Sequence, residues 1–321
     1  MKNKIILEFE KPIKEIYTKI EELKSLTENK HDKYFAQGLN QLKEKAEVLK
    51  EKVYSNLDPI QIVQISRHPE RPFFKDYIDN IFTDYLELHG DRIYGDDQAL
   101  FGGMATFEDQ EVMIIGQQRG KSAKENIKRN FGMPKPEGYR KSLRLMRLAE
   151  QFNRPIITFI DTKGAYPGIC SEERGIAEAI AMNLREMSGL KVPILSIIIG
   201  EGGSGGALGI GVGNKVAILK YAIYSVISPE GCAAILWRDA ALAPTAAKKL
   251  HLTSDKLLEL KIVDEIINEP LTGAHSDHNQ TYKNVKKYIK KELKKYIKYD
   301  GDKLIEDRYK RFRKLGEFSI Q

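Results

Sequence analysis

Eight of the fourteen residues at positions 200–213 are glycine, in the order Gly-Glu-Gly-Gly-Ser-Gly-Gly-Ala-Leu-Gly-Ile-Gly-Val-Gly, and they follow directly on an apolar run at 193–199. A buried strand that enters such a tract has to turn tightly and start a helix, so that several backbone N–H groups converge on one spot with no side chains in the way. A spot of that kind holds an oxyanion or a phosphate.

Three motifs fit these residues. Gly200-x-Gly202-x-x-Gly205 matches the dinucleotide-binding fingerprint, but residues 215–229 contain no Asp or Glu, and the ribose-holding acid belongs about twenty positions on. Gly202-x-Ser204-x-Gly206 matches the nucleophile elbow. Asp239, Asp255 and Asp264, with His251, His275 and His278, supply the Ser–Asp–His chain order of an α/β-hydrolase. In the third reading Ser204 caps the helix, and the N–H groups of Gly205 and Gly206 stabilise a developing negative oxygen. We favour the third, because five-residue patterns arise easily within a glycine tract.

A chain of 321 residues suffices for one large or two ordinary domains. No apolar run approaches the roughly 20 residues of a membrane span, and the charged first eleven residues lack a signal-peptide core, so a cytoplasmic protein is expected. Cys170 and Cys232 show no Cys-x-x-Cys spacing, which leaves neither a disulfide framework nor a zinc ribbon, and no metal is expected in this chain. The net charge of +7 is concentrated at one end: residues 281–321 carry 14 Lys and Arg against 6 Asp and Glu, the remainder 38 against 39. There Val285, Ile289, Leu293 and Ile297 recur every four residues, the pattern of an amphipathic helix with a lysine-covered outer face. We read that face as solvated; nucleic acid is not expected as a partner.

Along the chain, residues 5–57 have the Lys, Glu and Leu content of a helical hairpin, and Pro59 and the segment 67–72 punctuate its exit before a helix at 73–82. Residues 100–107 and 111–118 flank a short polar turn as a β-hairpin. Helix and strand then alternate: a helix at 139–152, a strand at 155–161, a helix at 171–187 and a strand at 193–199. The pattern is α/β with crossovers, divided into a helical extension at 1–85, a core at 86–280 and a basic helical tail at 281–321.

The loop Asp161-Thr-Lys-Gly-Ala-Tyr-Pro-Gly168 leaves its strand as the glycine tract leaves the next one, and in a crossover-built sheet both emerge at the strand ends where ligands bind. Gly164 and Ala165 are candidates for a further N–H donor or pocket wall, and Tyr166 for stacking on a planar ring. Residues 116–122 resemble a P-loop with one residue too few between the glycines. They leave Arg119, Lys121, Lys124, Lys128 and Arg129 as a basic cluster that either meets the phosphates of a bulky substrate or is solvated.

Longer blocks carry a resemblance. Arg67-His-Pro-Glu-Arg-Pro72, Arg129-Asn-Phe-Gly-Met-Pro-Lys-Pro-Glu-Gly-Tyr-Arg140, Phe159-Ile-Asp-Thr-Lys-Gly-Ala-Tyr-Pro-Gly168, Gly200-Glu-Gly-Gly-Ser-Gly-Gly-Ala207 and Tyr224-Ser-Val-Ile-Ser-Pro-Glu-Gly-Cys232 resemble the α subunit of bacterial acetyl-CoA carboxylase carboxyltransferase, over nearly the whole chain to about Phe318. The resemblance implies a crotonase/ClpP-like spiral of ββα units with a helical N-terminal hairpin and a basic helical C-terminal tail. It implies transfer of a carboxyl group from carboxybiotin on a carrier protein to acetyl-CoA, giving malonyl-CoA. It also implies a zinc-bearing β subunit, a second α subunit in an α2β2 assembly, and the biotin carboxyl carrier protein and biotin carboxylase as partners. The Gly205 and Gly206 N–H groups would then face the carboxybiotin oxygen, and Gly202, Gly203, Gly164, Ala165, Tyr166, Arg119, Lys121 and Arg129 are the substrate-binding candidates, with Arg67 a further guess for a CoA phosphate. No general base is needed if released biotin takes the α-proton. The chain departs from the family at Lys163, where the usual residue is proline. The alternatives are an acyl hydrolase with Ser204 as nucleophile and a non-catalytic CoA-binding scaffold.

Overall fold

Every residue of Ile156–Thr162 and Ile194–Gly203 is buried, as near-continuous apolar runs are when a strand has neighbours on both edges and cover on both faces. The computed structural model describes residues 5–26 and 33–316; residues 27–32, within the expected N-terminal hairpin, and both chain ends, 1–4 and 317–321, lie outside the described residues.

The strands are β1 (Thr83–Glu87), β2 (Leu100–Phe107), β3 (Gln110–Gln117), β4 (Ile156–Thr162), β5 (Ile194–Gly203), β6 (Lys215–Leu219), β7 (Ile223–Ser225) and β8 (Glu265–Ile267). They form one mixed sheet in the order β1-β2-β3-β4-β5-β6-β8, with β7 alongside the far end of β5. The first three strands are antiparallel and the rest of the path is parallel. Phe107 pairs with Gln110, so the predicted hairpin turns on two residues, and Glu108 takes φ 52° to do so.

The N-terminal quarter carries the helices α1 (Lys11–Leu26), α2 (Lys33–Tyr54), α3 (Pro59–Ser66) and α4 (Phe74–Ile81). Between strands come α5 (Ala123–Lys128), α6 (Pro136–Gln151), α7 (Ile169–Glu173), α8 (Ile176–Gly189) and the single turn α9 (Ser204–Leu208). Later elements are α10 (Pro229–Trp237), α11 (Ala243–Leu250), α12 (Ser254–Glu259), α13 (His278–Tyr296) and α14 (Gly301–Arg313). The helix expected at 171–187 is two helices, because Gly175 breaks it at φ 75°. β5 also runs on to Gly203 instead of stopping at Ile199, since Glu201, Gly202 and Gly203 pair with Ile223, Tyr224 and Ser225 of β7.

The helical tail is part of the main core. Val285, Ile289 and Leu293 are buried in the same cluster as the strand residues Phe159 and Ile197, whereas Ile297, just past the end of α13, stays half exposed. Arg308 of α14 is fully buried without a carboxylate: its guanidinium donates to the carbonyls of Met187, Ser188, Leu190 and Val192 and to Asn214 Oδ1. A cation suits the carbonyl-rich end of α8, although burial lowers the Arg308 pKa to about 10.

Candidate functional site

The two loops predicted to leave neighbouring strand ends do meet. An ideal Cβ on Gly206 would lie 2.4 Å from both Ala165 N and the Gly164 carbonyl carbon, and one on Gly203 would lie 2.1 Å from Lys163 O. Only glycine fits at either position, because the obstructing atoms are backbone.

Beyond Gly203 the chain turns sharply into α9. Ser204 adopts φ 54° and its side chain is solvent-exposed, the strained strand-to-helix geometry that a nucleophile elbow also uses. Ser204 is not the cap expected from the sequence: pairing with β7 carries the strand one residue further, Gly203 takes the N-cap position, and no side chain caps the helix. The first-turn N–H groups of Gly205 and Gly206 consequently have no hydrogen-bond partner among the described residues. Gly205 O accepts from Gly209 N at 2.9 Å; since the peptide is planar and trans, the Gly206 N–H on the opposite side of that plane points out of the helix start.

Among the described residues Ser204 has no triad. No hydrogen bond among the described residues joins it to a histidine or a carboxylate. His275 stacks on buried His68 with ring centroids 3.9 Å apart, and His278 Nε2 meets Glu70 O at 2.8 Å. Asp239 accepts from Ala241 N, Asp255 pairs with Lys220, and Asp264 pairs with Arg311. His251 shares a cavity with Ser204 and nothing more.

That cavity, of about 620 Å³, lies against α9 and is lined by Ser204, Gly205, Leu208, Val216, Tyr224 and Leu257 among others. Its size is that of a small-ligand pocket and its wall is predominantly apolar.

The basic candidates divide. Arg119 Nε donates to buried Asp161 at 3.0 Å and its guanidinium lies 5.0 Å from the Phe73 ring centroid. Lys121 pairs with Asp76 at 2.5 Å on the surface, and Arg129 donates to Gln98 O at 2.7 Å. Arg67, a guess for a phosphate contact, is instead held by two carboxylates: Nε and Nη2 reach Glu201 at 3.0 and 2.7 Å, and Nη1 reaches Glu230 at 2.7 Å. Burial opposes its charge, but the two carboxylates outweigh it and raise the Arg67 pKa. Tyr166 stays near Lys135, whose ammonium lies 5.3 Å from the ring centroid, and its N–H donates to Pro134 O at 2.9 Å.

Several residues that build the site were not legible as functional. Asp161 Oδ1 accepts from Glu201 N at 3.0 Å, so its carboxylate ties the end of β4 to β5 as well as to Arg119. Gln117 and Tyr139 both donate to Gly206 O, at 2.7 and 2.9 Å. Each stands inside or beside a block already singled out, but nothing local says which carbonyl it reaches across the sheet.

With this geometry in place, likeness to known proteins is informative. A family model described as acetyl co-enzyme A carboxylase carboxyltransferase-like matches residues 6–316. The chain is 55% identical over 310 residues, 97% of its length and 98% of the relative's, to a Histophilus somni (strain 2336) protein named acetyl-coenzyme A carboxylase carboxyl transferase subunit alpha. It is 54% identical over 312 residues, with 97% and 98% covered, to the protein of that name from Vibrio cholerae serotype O1 (strain ATCC 39541 / Classical Ogawa 395 / O395). Among solved structures it is similar to transcarboxylase 12S, crystallised with methylmalonyl-coenzyme A, with a TM-score of 0.57 at 20% identity over 70% of this chain and 42% of that one. Identity so low speaks for the fold alone, and that fold is the expected crotonase type. More than half of the residues shared over almost the full length of both chains is a far stricter test than any short motif, and by it this chain belongs to the acetyl-CoA carboxylase carboxyltransferase α-subunit family.

Proposed function

We propose that this chain is the α subunit of an acetyl-CoA carboxylase carboxyltransferase and holds the carboxybiotin side of a site completed by a β subunit. The observation that carries this reading is the pair of unpartnered N–H groups at Gly205 and Gly206, held at the strand ends beside an apolar cavity with no nucleophile–base pair. Carboxybiotin, when bound, supplies the carboxyl group that acetyl-CoA receives. The chain's own part is to hold negative charge on an oxygen through paired N–H donors, a contribution on the order of 3 kcal/mol per donor. Leu208, Val216 and Leu257 line the cavity beside the helix start, and an apolar wall next to that oxygen lowers the local dielectric and so strengthens its hydrogen bonds.

Gly202 and Gly203 let the backbone of β5 approach Tyr224 and Lys163 closely, and Gly164, Ala165 and Tyr166 form the facing loop. Arg119 acts by holding Asp161, which leaves exposed Lys121 and half-buried Arg129 as the candidates for an anionic substrate. Large apolar side chains stand in solvent on elements that adjoin the site: Ile169 after the facing loop, Val226 in the cavity wall beyond β7, and Ile235, Leu236 and Trp237 on α10, whose first turn reaches Arg67 through Glu230. An apolar rim around an incomplete oxyanion site suits a protein partner, and the β subunit is the partner we assign to it. A second α subunit, the biotin carboxyl carrier protein and biotin carboxylase complete the proposed assembly. No helix among the described residues is long and apolar enough to cross a membrane, and we place the work of the complex in the cytoplasm.

The test is the reverse reaction: malonyl-CoA-dependent carboxylation of a free biotin derivative, by the chain alone and after mixing with a β subunit. Activity in the mixture only is the expected result. Inactivity in both, with a fluorophosphonate labelling Ser204, would replace this reading with the hydrolase.

A further inference from the structure

The Gly206 carbonyl is served unusually. In a regular helix it would accept from the N–H four residues on, but α9 is one turn long, and its exit spends the available donors elsewhere: Gly209 N on Gly205 O, Ile210 N on Ala207 O, and Gly211 N on Leu208 O. Two side chains from other elements take over. Gln117, at the end of β3, donates to Gly206 O at 2.7 Å, and Tyr139, in α6, donates at 2.9 Å; both side chains are fully buried.

Gln117 also accepts from Asp161 N at 3.1 Å through its other amide atom, so one orientation of the amide satisfies both contacts and clamps the start of the facing loop to α9. The Tyr139 ring additionally occupies the space beside Gly209, where a Cβ would lie 2.8 Å from Cε1. Burial pushes the Tyr139 hydroxyl well above the usual phenol range, which keeps it a donor.

We propose that Gln117 and Tyr139 are positioning residues for carboxyl transfer: by holding the Gly206 carbonyl they fix the peptide plane that follows the Gly206 Cα, and with it the setting of the helix start whose Gly205 and Gly206 N–H groups face the oxygen that becomes negative. The proposal rests on the function assigned above. A five-residue helix has no stability of its own, so the direction of its first turn is set by whatever holds it. Gly209 pins the peptide plane before the Gly206 Cα, and the two side chains pin the plane after it. Neither side chain is a catalytic residue, since both are buried beneath the helix.

The experiment uses the complex with the β subunit, with malonyl-CoA and a free biotin derivative as substrates. Tyr139→Phe removes one buried hydroxyl and leaves the ring in place, and Gln117→Leu removes both amide contacts at similar volume. The expected result is a roughly tenfold fall in kcat for Tyr139→Phe and a fall of roughly ten- to a hundredfold for Gln117→Leu, each with KM for malonyl-CoA within twofold of wild type. A double variant less impaired than the product of the two single effects would also support a shared target. Unchanged kcat in both variants, while the wild-type complex is active, overturns the proposal. So does a loss of rate that merely follows loss of assembly or of melting temperature. If the wild-type complex itself is inactive, the failure lies in the assigned function instead.

Discussion

Gly206→Ala isolates the contact on which the site's geometry depends. Its added methyl carbon would sit 2.4 Å from Ala165 N and from the Gly164 carbonyl carbon, and 2.8 Å from Gly164 Cα. Ordinary contact begins near 3.4 Å, so either the facing loop or α9 has to move by about 1 Å, and backbone cannot swing aside as a flexible side chain does. Overpacking of this kind costs roughly 1–3 kcal/mol of stability. A displacement of about 1 Å in an oxyanion donor costs about 10²-fold in rate. Gly205→Ala is the internal control: its methyl would meet only Ile180 Cδ1 and Cγ2 at 3.9 Å, and both N–H groups remain. In the complex with β, assayed by malonyl-CoA-dependent carboxylation of a biotin derivative, Gly206→Ala should lose about two orders of magnitude in kcat while Gly205→Ala stays within a few-fold. An assembled Gly206→Ala complex within threefold of wild type would refute the reasoning, as would equal damage from the two substitutions. Gly206→Pro, which would remove the N–H itself, brings the same clash and cannot separate the two causes.

Three further outcomes can be checked without the full assay. Arg67→Met leaves the almost fully buried Glu201 carboxylate without its cation, which should destabilise the chain by roughly 3–5 kcal/mol in chemical denaturation; a change below about 1 kcal/mol would show that Glu201 finds another partner. For Asp91, burial disfavours the charge, but the N–H groups of Ile93, Tyr94 and Gly95 and the Arg140 guanidinium outweigh it and bring the pKa to about 2. The folded value lies below the unfolded one, so this stabilisation is present above about pH 4 and is lost as pH falls towards 2; Asp91→Asn should flatten that part of the acid-unfolding curve, and an unaltered slope would contradict the assignment. Lys163→Pro restores the residue usual in the family at a position that follows the extended Thr162 and whose N–H makes no hydrogen bond among the described residues. It should raise unfolding free energy by roughly 0.4–1 kcal/mol, and a fall would mean that the local φ does not suit proline.

How far the chain could be read in advance depended on the range of the forces involved. The β2–β3 hairpin, the buried strands β4 and β5 and the amphipathic stripe of α13 follow from periodicity over a few residues, and each lies within a few residues of its expected place. The helix expected at 171–187 is broken because helical periodicity does not report a single left-handed residue, and Gly175 at φ 75° ends one helix and starts another. The end of β5 was missed because its last three residues are strand only through pairing with β7, about twenty positions away.

What the sequence by itself determined is the backbone chemistry of the site. A run of glycines after a buried strand has to expose N–H groups at a helix start, and those groups are the same whatever surrounds them. What only the tertiary structure decided is which partner each side chain has. The cations Arg67 and Arg119 look alike in sequence to a cation that greets a phosphate, yet both are paired with carboxylates, from Glu201 and Glu230 in one case and Asp161 in the other. Gln117 and Tyr139 stand in segments the sequence singles out for other reasons, and they hold the Gly206 carbonyl from 89 and 67 residues away. The reason is physical: a backbone N–H is oriented by the few bonds on either side of it, whereas the partner of a side chain is set by the packing of strands and helices that the chain brings together only on folding.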